Sequence, residues 1–204
     1  MDILDNYKKA WENQPKENER VSVGEIYKMA HSRSSSIVKW IFIIGILEFV
    51  VFNSLYFFMD MEEAHRQYQE LGLENFVLYT QIIAYAILFY FLAMFYLNYK
   101  NISTSDSTRL LMRKIIRTRR TVRNYVLFNL GYIALVMIVF TIASINVNME
   151  DLNGKQIALL IGAMSIFTFL ILGVMFLFYQ LIYGILLRKL RRNYKELAKL
   201  EDEI

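Results

Sequence analysis

A single acidic residue, Glu48, interrupts an apolar run that extends from Val38 to Met59. It follows the start of that run by ten residues, which places its carboxyl group near the middle of a bilayer if the run crosses one. A charged group at that depth costs about 2.5 to 3.5 kcal/mol on insertion scales, so such residues usually have a function. No Lys or Arg lies within the chain's long apolar runs. Glu48 is therefore expected to be protonated at rest and bonded to a polar group on another helix.

Other polar side chains within the apolar runs are the candidate partners of Glu48. Counted in depth from the basic ends of the runs, Tyr85, Tyr132 and either Tyr179 or Gln180 come within a helical turn of its level. The candidate intramembrane polar residues are Glu48, Asn53, Tyr85, Asn129, Tyr132, Tyr179 and Gln180. Three interpretations of Glu48 stay open: a neutral acid bonded across a helix bundle, a proton- or ion-linked switch, and a contact with another membrane protein.

The elements that must position these groups are four apolar runs, at residues 38–59, 76–97, 125–147 and 157–187. A helix of about 20 apolar residues crosses the hydrocarbon core, so each run is long enough. With 56% hydrophobic residues, a chain of 204 residues has more apolar surface than a soluble core can bury, and the lipid bilayer is its first partner. The predicted fold is all-α: a polytopic membrane protein with four transmembrane helices and amphipathic cytoplasmic helices.

The distribution of positive charge predicts the orientation. Of the 23 Lys and Arg residues, 21 lie before residue 40, in the 98–124 loop or after residue 187. The positive-inside rule therefore places both termini and the central loop in the cytoplasm of a multi-pass inner-membrane protein. The predicted organisation is a cytoplasmic helical segment at 1–37, a transmembrane domain at 38–187 and a cytoplasmic helical tail at 188–204.

The central loop is predicted to form a basic amphipathic helix over residues 103–124. Apolar residues such as Leu111 and Ile115 share one side, while Arg113, Arg117 and Arg120 lie on the other. Such a helix commonly lies along an anionic leaflet, and the alternative is that it docks a protein partner. Nucleic acid is unlikely as a partner, because no aromatic residue alternates with these charges and no known binding module is visible.

The residue types disfavour an enzyme. The two histidines, His31 and His65, are predicted on opposite sides of the membrane, and the chain contains no cysteine, which excludes a multi-histidine or thiolate metal centre. No phosphate-binding loop or nucleophile elbow is present. We therefore predict no catalytic residues, no metal and no cofactor. Transport has Glu48 as its main support, but the spans contain no proline and few glycines that could break a helix.

Two segments near the start of the chain suggest a relationship. The run Tyr7-Lys8-Lys9-Ala10-Trp11 and the segment SVGEIYKMAHSRSSSIVKWIFIIGILEF from Ser22 to Phe49, together with the four-span layout, resemble small inner-membrane proteins of the Bacteroidota. Members of that group are often encoded beside sigma factors of the extracytoplasmic-function type. The resemblance implies a regulatory partner, such as a sigma factor held by the cytoplasmic segments. The zinc-binding His and Cys cluster of some anti-sigma domains is missing, so this role is an analogy.

The predicted function is a non-enzymatic regulatory or docking protein that presents its cytoplasmic helices to a cytoplasmic or membrane protein partner. The alternative is a small transporter or a proton-linked membrane sensor that uses Glu48. Whether the chain forms a homo-oligomer stays open. The residues predicted at the partner or membrane surface are Trp11, Ile26, Tyr27, Met29, Arg113, Arg117 and Arg120.

Overall fold

The computed structural model describes residues 23–105, 107–148 and 152–202, which form five α-helices and a short 3-10 turn with no strand among them. The helices are α1 (Val23–Ser54), α2 (Met61–Glu70), α3 (Glu74–Ser103), α4 (Thr108–Val147) and α5 (Gly154–Asp202), and the 3-10 turn is Leu55–Phe58. Four of them, α1, α3, α4 and α5, are long and apolar enough to cross a membrane. The predicted all-α fold with four transmembrane helices is confirmed. Trp11 and the helix predicted around it lie outside the described residues.

The four long helices form an antiparallel bundle in which consecutive helices are neighbours. α1 packs against α3 and α5, and α4 packs against the same two helices from the opposite corner. One end of the bundle, here called the proximal end, holds the start of α1, the end of α5 and the connection between α3 and α4. The other, distal end holds α2 and the connection between α4 and α5.

Local sequence signals begin and end the helices at both ends of the bundle. At the proximal end, Ser107 caps α4 by accepting a hydrogen bond from the Leu110 N–H at 3.3 Å. At the distal end, Asn153 and Gln156 exchange hydrogen bonds of 2.9 and 3.0 Å across the first turn of α5. Gly72 ends α2 with φ +66, a left-handed conformation that glycine adopts without strain.

The predicted cytoplasmic segments continue the membrane spans without a break. α1 runs through the Ser34 to Ser36 triplet, where the sequence left a break open. The basic segment begins at Thr108, later than the predicted 103, and is the proximal part of α4. It does not rest on a leaflet as a separate helix, because its apolar residues Leu111 and Ile115 are fully buried inside the bundle. Packing against three other helices satisfies this stripe more completely than a lipid surface.

Two clusters of buried side chains hold the bundle together. The proximal cluster joins the predicted cytoplasmic segments and consists of Ala30, Val38, Ile102, Leu111, Ile115, Leu190 and Leu197. The middle cluster lies deeper and consists of Ile41, Phe91, Phe95, Val122, Tyr125, Tyr179 and Tyr183. The middle cluster is strongly aromatic, and it lies against the only acidic residue of the predicted spans.

Candidate intramembrane site

Glu48 of α1 is buried, with 7% of its surface exposed, and faces α5. The Tyr179 hydroxyl donates a hydrogen bond to Glu48 Oε1 at 2.7 Å, and the Tyr183 hydroxyl donates one to Oε2 at 2.9 Å. The two tyrosines are four residues apart, so they project from the same face of α5. Each carboxyl oxygen thus accepts one phenol hydrogen bond, and together they tie α1 to α5.

Tyr125 of α4 completes the group of tyrosines around this carboxyl. Its ring packs edge-on against the rings of Tyr179 and Tyr183, with centroids 6.1 and 5.9 Å apart. On its other side it meets Phe91 and Phe95 of α3, also edge-on. Edge-to-face packing of this kind fixes ring orientation beyond the area that it buries. The three tyrosines are therefore held rigidly around Glu48 by all four helices.

A cavity of about 500 Å³ opens beside Glu48 and extends toward the distal end, where Met59 and Tyr68 line it. Six of the seven predicted intramembrane polar residues line this cavity: Glu48, Asn53, Tyr85, Asn129, Tyr132 and Tyr179. As far as the described ranges extend, no Lys, Arg or His is among its lining residues. The middle cluster fills the bundle interior between Glu48 and the proximal end.

The other predicted polar residues make bonds at different levels of this cavity. Tyr85 donates to Asn53 Oδ1 at 2.7 Å, which joins α3 to α1 nearer the distal end. Asn129 instead donates to the backbone oxygen of Tyr125 at 2.9 Å within its own helix. Tyr132 stacks on the ring of Phe128. The sequence thus located the cavity lining, while Tyr179 alone among the proposed partners bonds to Glu48.

Gln180 does not belong to this site. It is exposed on the outer surface of α5, one residue beyond Tyr179 and on a different face. Sequence reasoning also missed two members of the site, Tyr183 and Tyr125. The spacing of Tyr183, four residues after Tyr179, is a signal that could have identified it. Tyr125 carried no such signal, because it lies at the predicted boundary between the basic helix and its span.

The residues predicted to contact a partner divide into two groups. Ile26 and Tyr27 are half-buried against the proximal cluster, and the Tyr27 hydroxyl donates to the Ser105 backbone oxygen at 2.8 Å. Met29 is 41% exposed. Arg113, Arg117 and Arg120 are exposed on the outer face of α4. Only the second group is free to meet another molecule.

The described residues contain no cluster of three or more His, Cys, Asp or Glu side chains able to hold a metal ion. His31 lies at the proximal end, with its Nε2 atom 2.9 Å from the Ile102 backbone oxygen. His65 lies at the distal end beside Glu74, at 3.4 Å. The two histidines therefore lie at opposite ends of the bundle. Among the described residues, the lining of the cavity beside Glu48 offers one carboxyl group together with phenol and amide groups.

Comparison with known proteins gives one family match. Residues 24–202 match the model of a family described as Domain of unknown function (DUF8845). The match covers all four long helices and begins just after the start of α1. No curated protein and no solved structure matches the chain.

Proposed function

The chain belongs to the family of the domain of unknown function DUF8845, and we propose that it is a non-enzymatic, proton-linked membrane sensor built around Glu48. The observation that carries this proposal is the pair of phenol hydrogen bonds to a buried carboxyl group whose cavity is lined, among the described residues, by no Lys, Arg or His. The positive-inside rule supports an orientation with the proximal end in the cytoplasm and the cavity directed outward. We place the protein in the inner membrane on this basis.

The chemistry of the site favours two hydrogen-bond arrangements. An ionised carboxyl group accepts through both oxygens, as Glu48 does from Tyr179 and Tyr183. When Glu48 is protonated, one oxygen carries a hydrogen that needs an acceptor of its own, so a neighbouring hydroxyl group must turn. Each protonation state of Glu48 therefore favours its own set of hydrogen-bond partners. The contact between α1 and α5 responds to the proton for that reason.

The same two helices carry a change at Glu48 to the proximal end. α1 and α5 continue beyond the middle cluster, where the Asn193 side chain donates to Ser34 Oγ at 3.1 Å. Farther along, Arg33 and Glu196 form an ion pair at 3.9 Å between the same helices. Ala30 of α1 and Leu197 of α5 are packed in the proximal cluster. A shift of α5 against α1 at the carboxyl group would displace these contacts too.

The bundle geometry supports a sensor more than a transporter. Apart from the 3-10 turn Leu55–Phe58 at the distal end of the first span, the described parts of the spans are uninterrupted α-helices, whereas transporter sites are typically built from broken ones. The cavity reaches Glu48 from the distal side, and fully buried residues such as Ile41 and Phe95 fill the interior on the proximal side. This arrangement provides access to the carboxyl group from one side of the membrane.

The output of the sensor is proposed to be a cytoplasmic protein that docks on the proximal end. The exposed Met29 on α1 and the outward row of Arg113, Arg117 and Arg120 on α4 support this step, because they offer a partner an apolar contact and positive charge on two helices of that end. A regulatory partner such as a sigma factor is the candidate that the family resemblance suggests. Ile26 and Tyr27 are half-buried against the proximal cluster and offer a partner less surface than Met29.

The sensor is tested by measuring a distance across the proximal end. The chain has no cysteine, so spin labels can be attached to cysteines introduced at the exposed positions Ser32 and Lys195 without background reaction. In the protein reconstituted into lipid nanodiscs, the distance distribution between the labels should change between mildly alkaline and mildly acidic buffer. Glu48→Gln should abolish the change and keep the acidic distribution, because glutamine resembles a neutral carboxyl group.

Two controls separate Glu48 from other titrating groups. Glu62→Gln removes an exposed carboxyl group at the distal end and should leave the pH response intact. His31 lies beside Ser32, one of the labelled positions, so the measurements are repeated with His31→Gln, which should also respond. The proposal fails if the Glu48→Gln protein keeps the response, or if the protein with Glu48 shows none.

The output step has its own experiment. A photoreactive amino acid in place of Met29 should crosslink a specific cytoplasmic protein in native membranes, with a yield that depends on pH and falls when Arg113 and Arg117 become glutamine. The same amino acid in place of Met61, exposed at the distal end, is the matched control and should not capture that protein. A crosslinking yield that changes neither with pH nor with the arginine substitutions would contradict docking at the proximal end.

A further inference from the structure

A second cavity lies on the outside of the bundle, between α4 and α5 at the level where the basic part of α4 enters its predicted span. Its volume is about 510 Å³. Arg119, Arg120 and Arg123 line its proximal part, and Leu130 and Phe176 line its deeper part. The groove shares Tyr179 with the cavity beside Glu48. The arginines and the apolar lining, and not the Glu48 carboxyl group, carry the inference, so it does not depend on the proposed sensor function.

Some basic residues near the proximal end have acidic partners, unlike the arginines of the groove. Arg109 pairs with Glu201, and Arg192 pairs with Glu196. Within the described part of the chain, no Asp or Glu lines the groove, so the positive charge of its three arginines is not neutralised there. A groove of this composition favours an anionic occupant.

Arg119 also has an unsatisfied donor. Its Nε atom is buried and has no hydrogen-bond partner among the described residues. A buried N–H without an acceptor is rare in folded proteins, since the group loses its bond to water and gains nothing in exchange. A phosphate oxygen placed in the groove could accept this bond and a second one from the same guanidinium group.

The depth of the groove selects among anions. Beyond the arginines its lining is mainly apolar and continues toward the middle of the predicted span through Leu127, Leu130 and Phe176. The polar members of this part are Tyr179, Gln180 and Tyr183. Gly184 contributes no side chain to the groove at this point, and the three atoms nearest its missing Cβ position all belong to the Gln180 side chain. A free phosphate ion would use the arginines alone, whereas a phospholipid would also use the apolar walls.

We propose that this groove is a binding site for one anionic phospholipid of the leaflet at the proximal end. The phosphate group binds Arg119, with Arg120 and Arg123 adding charge attraction, and one acyl chain lies along Leu127 and Phe176. Basic grooves between transmembrane helices hold anionic headgroups in this way. The site shares Arg120 with the exposed row on α4, whereas Arg113 and Arg117 of that row are not part of the groove lining.

Native mass spectrometry of the detergent-purified full chain tests the proposal. Phosphatidylglycerol and phosphatidylcholine with identical acyl chains are titrated separately, and bound lipids are counted. We expect one phosphatidylglycerol molecule to bind with higher affinity than phosphatidylcholine. Arg119→Gln should lower the phosphatidylglycerol affinity by about fivefold or more, the effect of one basic residue near an anionic surface. Arg113→Gln, on the same helix outside the groove, is the matched control and should change it less.

A second pair of variants tests the acyl chain and separates a lipid from a free phosphate. Gly184→Leu fills the groove without changing its charge and should weaken phosphatidylglycerol binding. Gly173→Leu, on the same helix where no other atom lies within 4 Å of the missing Cβ, should not. Glycerol phosphate should fail to displace the lipid. Circular dichroism melting shows whether each variant is folded.

Three results would overturn the proposal: equal binding of the two lipids, equal losses from Arg113→Gln and Arg119→Gln, or displacement of the lipid by glycerol phosphate. The second result would indicate diffuse attraction to the basic helix. The third would indicate a site for phosphate alone.

Discussion

Asn193 and Ser34 form a hydrogen bond of 3.1 Å between α5 and α1, and both residues are buried. Asn193 follows Tyr179 by 14 residues, and Ser34 precedes Glu48 by the same number. Because α1 and α5 are antiparallel, the two contacts join the same pair of helices at levels separated by about 21 Å. A rigid helix pair with polar bonds at both levels can couple one site to the other.

The buried bond between Asn193 and Ser34 should stabilise the bundle. Asn193→Ala leaves the Ser34 hydroxyl without its partner, so we expect the free energy of unfolding to fall by about 1 to 3 kcal/mol. The free energy of unfolding is measured by reversible unfolding in mixed detergent micelles. Ser34→Ala and the double variant complete a cycle, and a coupling energy near zero would contradict a direct interaction.

The phenol groups of Tyr179 and Tyr183 should each contribute through their bonds to Glu48. Tyr179→Phe and Tyr183→Phe remove one donor each, and each should lower the unfolding free energy by about 0.6 to 1.7 kcal/mol, the range for hydrogen bonds between membrane helices. Tyr90→Phe is the control, because Tyr90 lies on α3 with 59% of its surface exposed. Losses no larger than that of Tyr90→Phe would show that these bonds contribute little.

Gly45 allows α1 to approach α3 closely. A Cβ atom at this position would lie 3.1 Å from Leu92 Cδ2 and 3.2 Å from Phe95 Cδ2, and Phe95 is fully buried and has no room to move. Gly45→Ala should therefore destabilise the bundle by about 1 kcal/mol or more.

The matched control is Gly131→Ala on α4, where no other atom lies within 4 Å of the added carbon. It should stabilise the helix by about 0.5 to 1 kcal/mol, because alanine loses less backbone entropy. Both variants are compared in the same detergent unfolding assay. Equal effects at the two positions would show that the approach of α1 to α3 is not tight.

The proposed orientation predicts which positions can be labelled from outside the cell. A single cysteine in place of Gln69, exposed at the distal end, should react with a membrane-impermeant maleimide in cells whose inner membrane is intact. A single cysteine in place of Lys199, exposed at the proximal end, should react only after the membrane is permeabilised. The reverse pattern would place the arginine-rich end outside and would also remove the proposed cytoplasmic partner.

Several features of the site followed from counting residues along the chain. Glu48, Tyr179 and Tyr85 were placed at a similar depth because each residue of a helix rises by a fixed 1.5 Å. The structure brings all three to one cavity. Which tyrosine bonds to Glu48 was not decided by depth, since Tyr85 at a similar depth turns to Asn53 instead.

At the proximal end, the sequence predicted less and the tertiary structure decided more. The apolar stripe over Leu111 and Ile115 was visible in the sequence, but the same stripe suits a leaflet, a partner or another helix of the chain. Only the bundle shows that it packs against Ala30 and Leu190. Ile26 and Tyr27 were predicted to face a partner, because an apolar residue suits a partner as well as it suits another helix. In the bundle they are half-buried against the proximal cluster.

The sequence by itself determined that four helices cross the membrane, how deep each polar residue lies along them, and which end is basic. Apolar length and charge are properties of a single helix, so they can be read without its neighbours. The tertiary structure decided the direction in which each residue points around its helix axis. Within the spans, residues that face lipid and residues that face protein are equally apolar, so no pattern distinguishes Tyr179 in the site from Gln180 on the surface until the helices are packed.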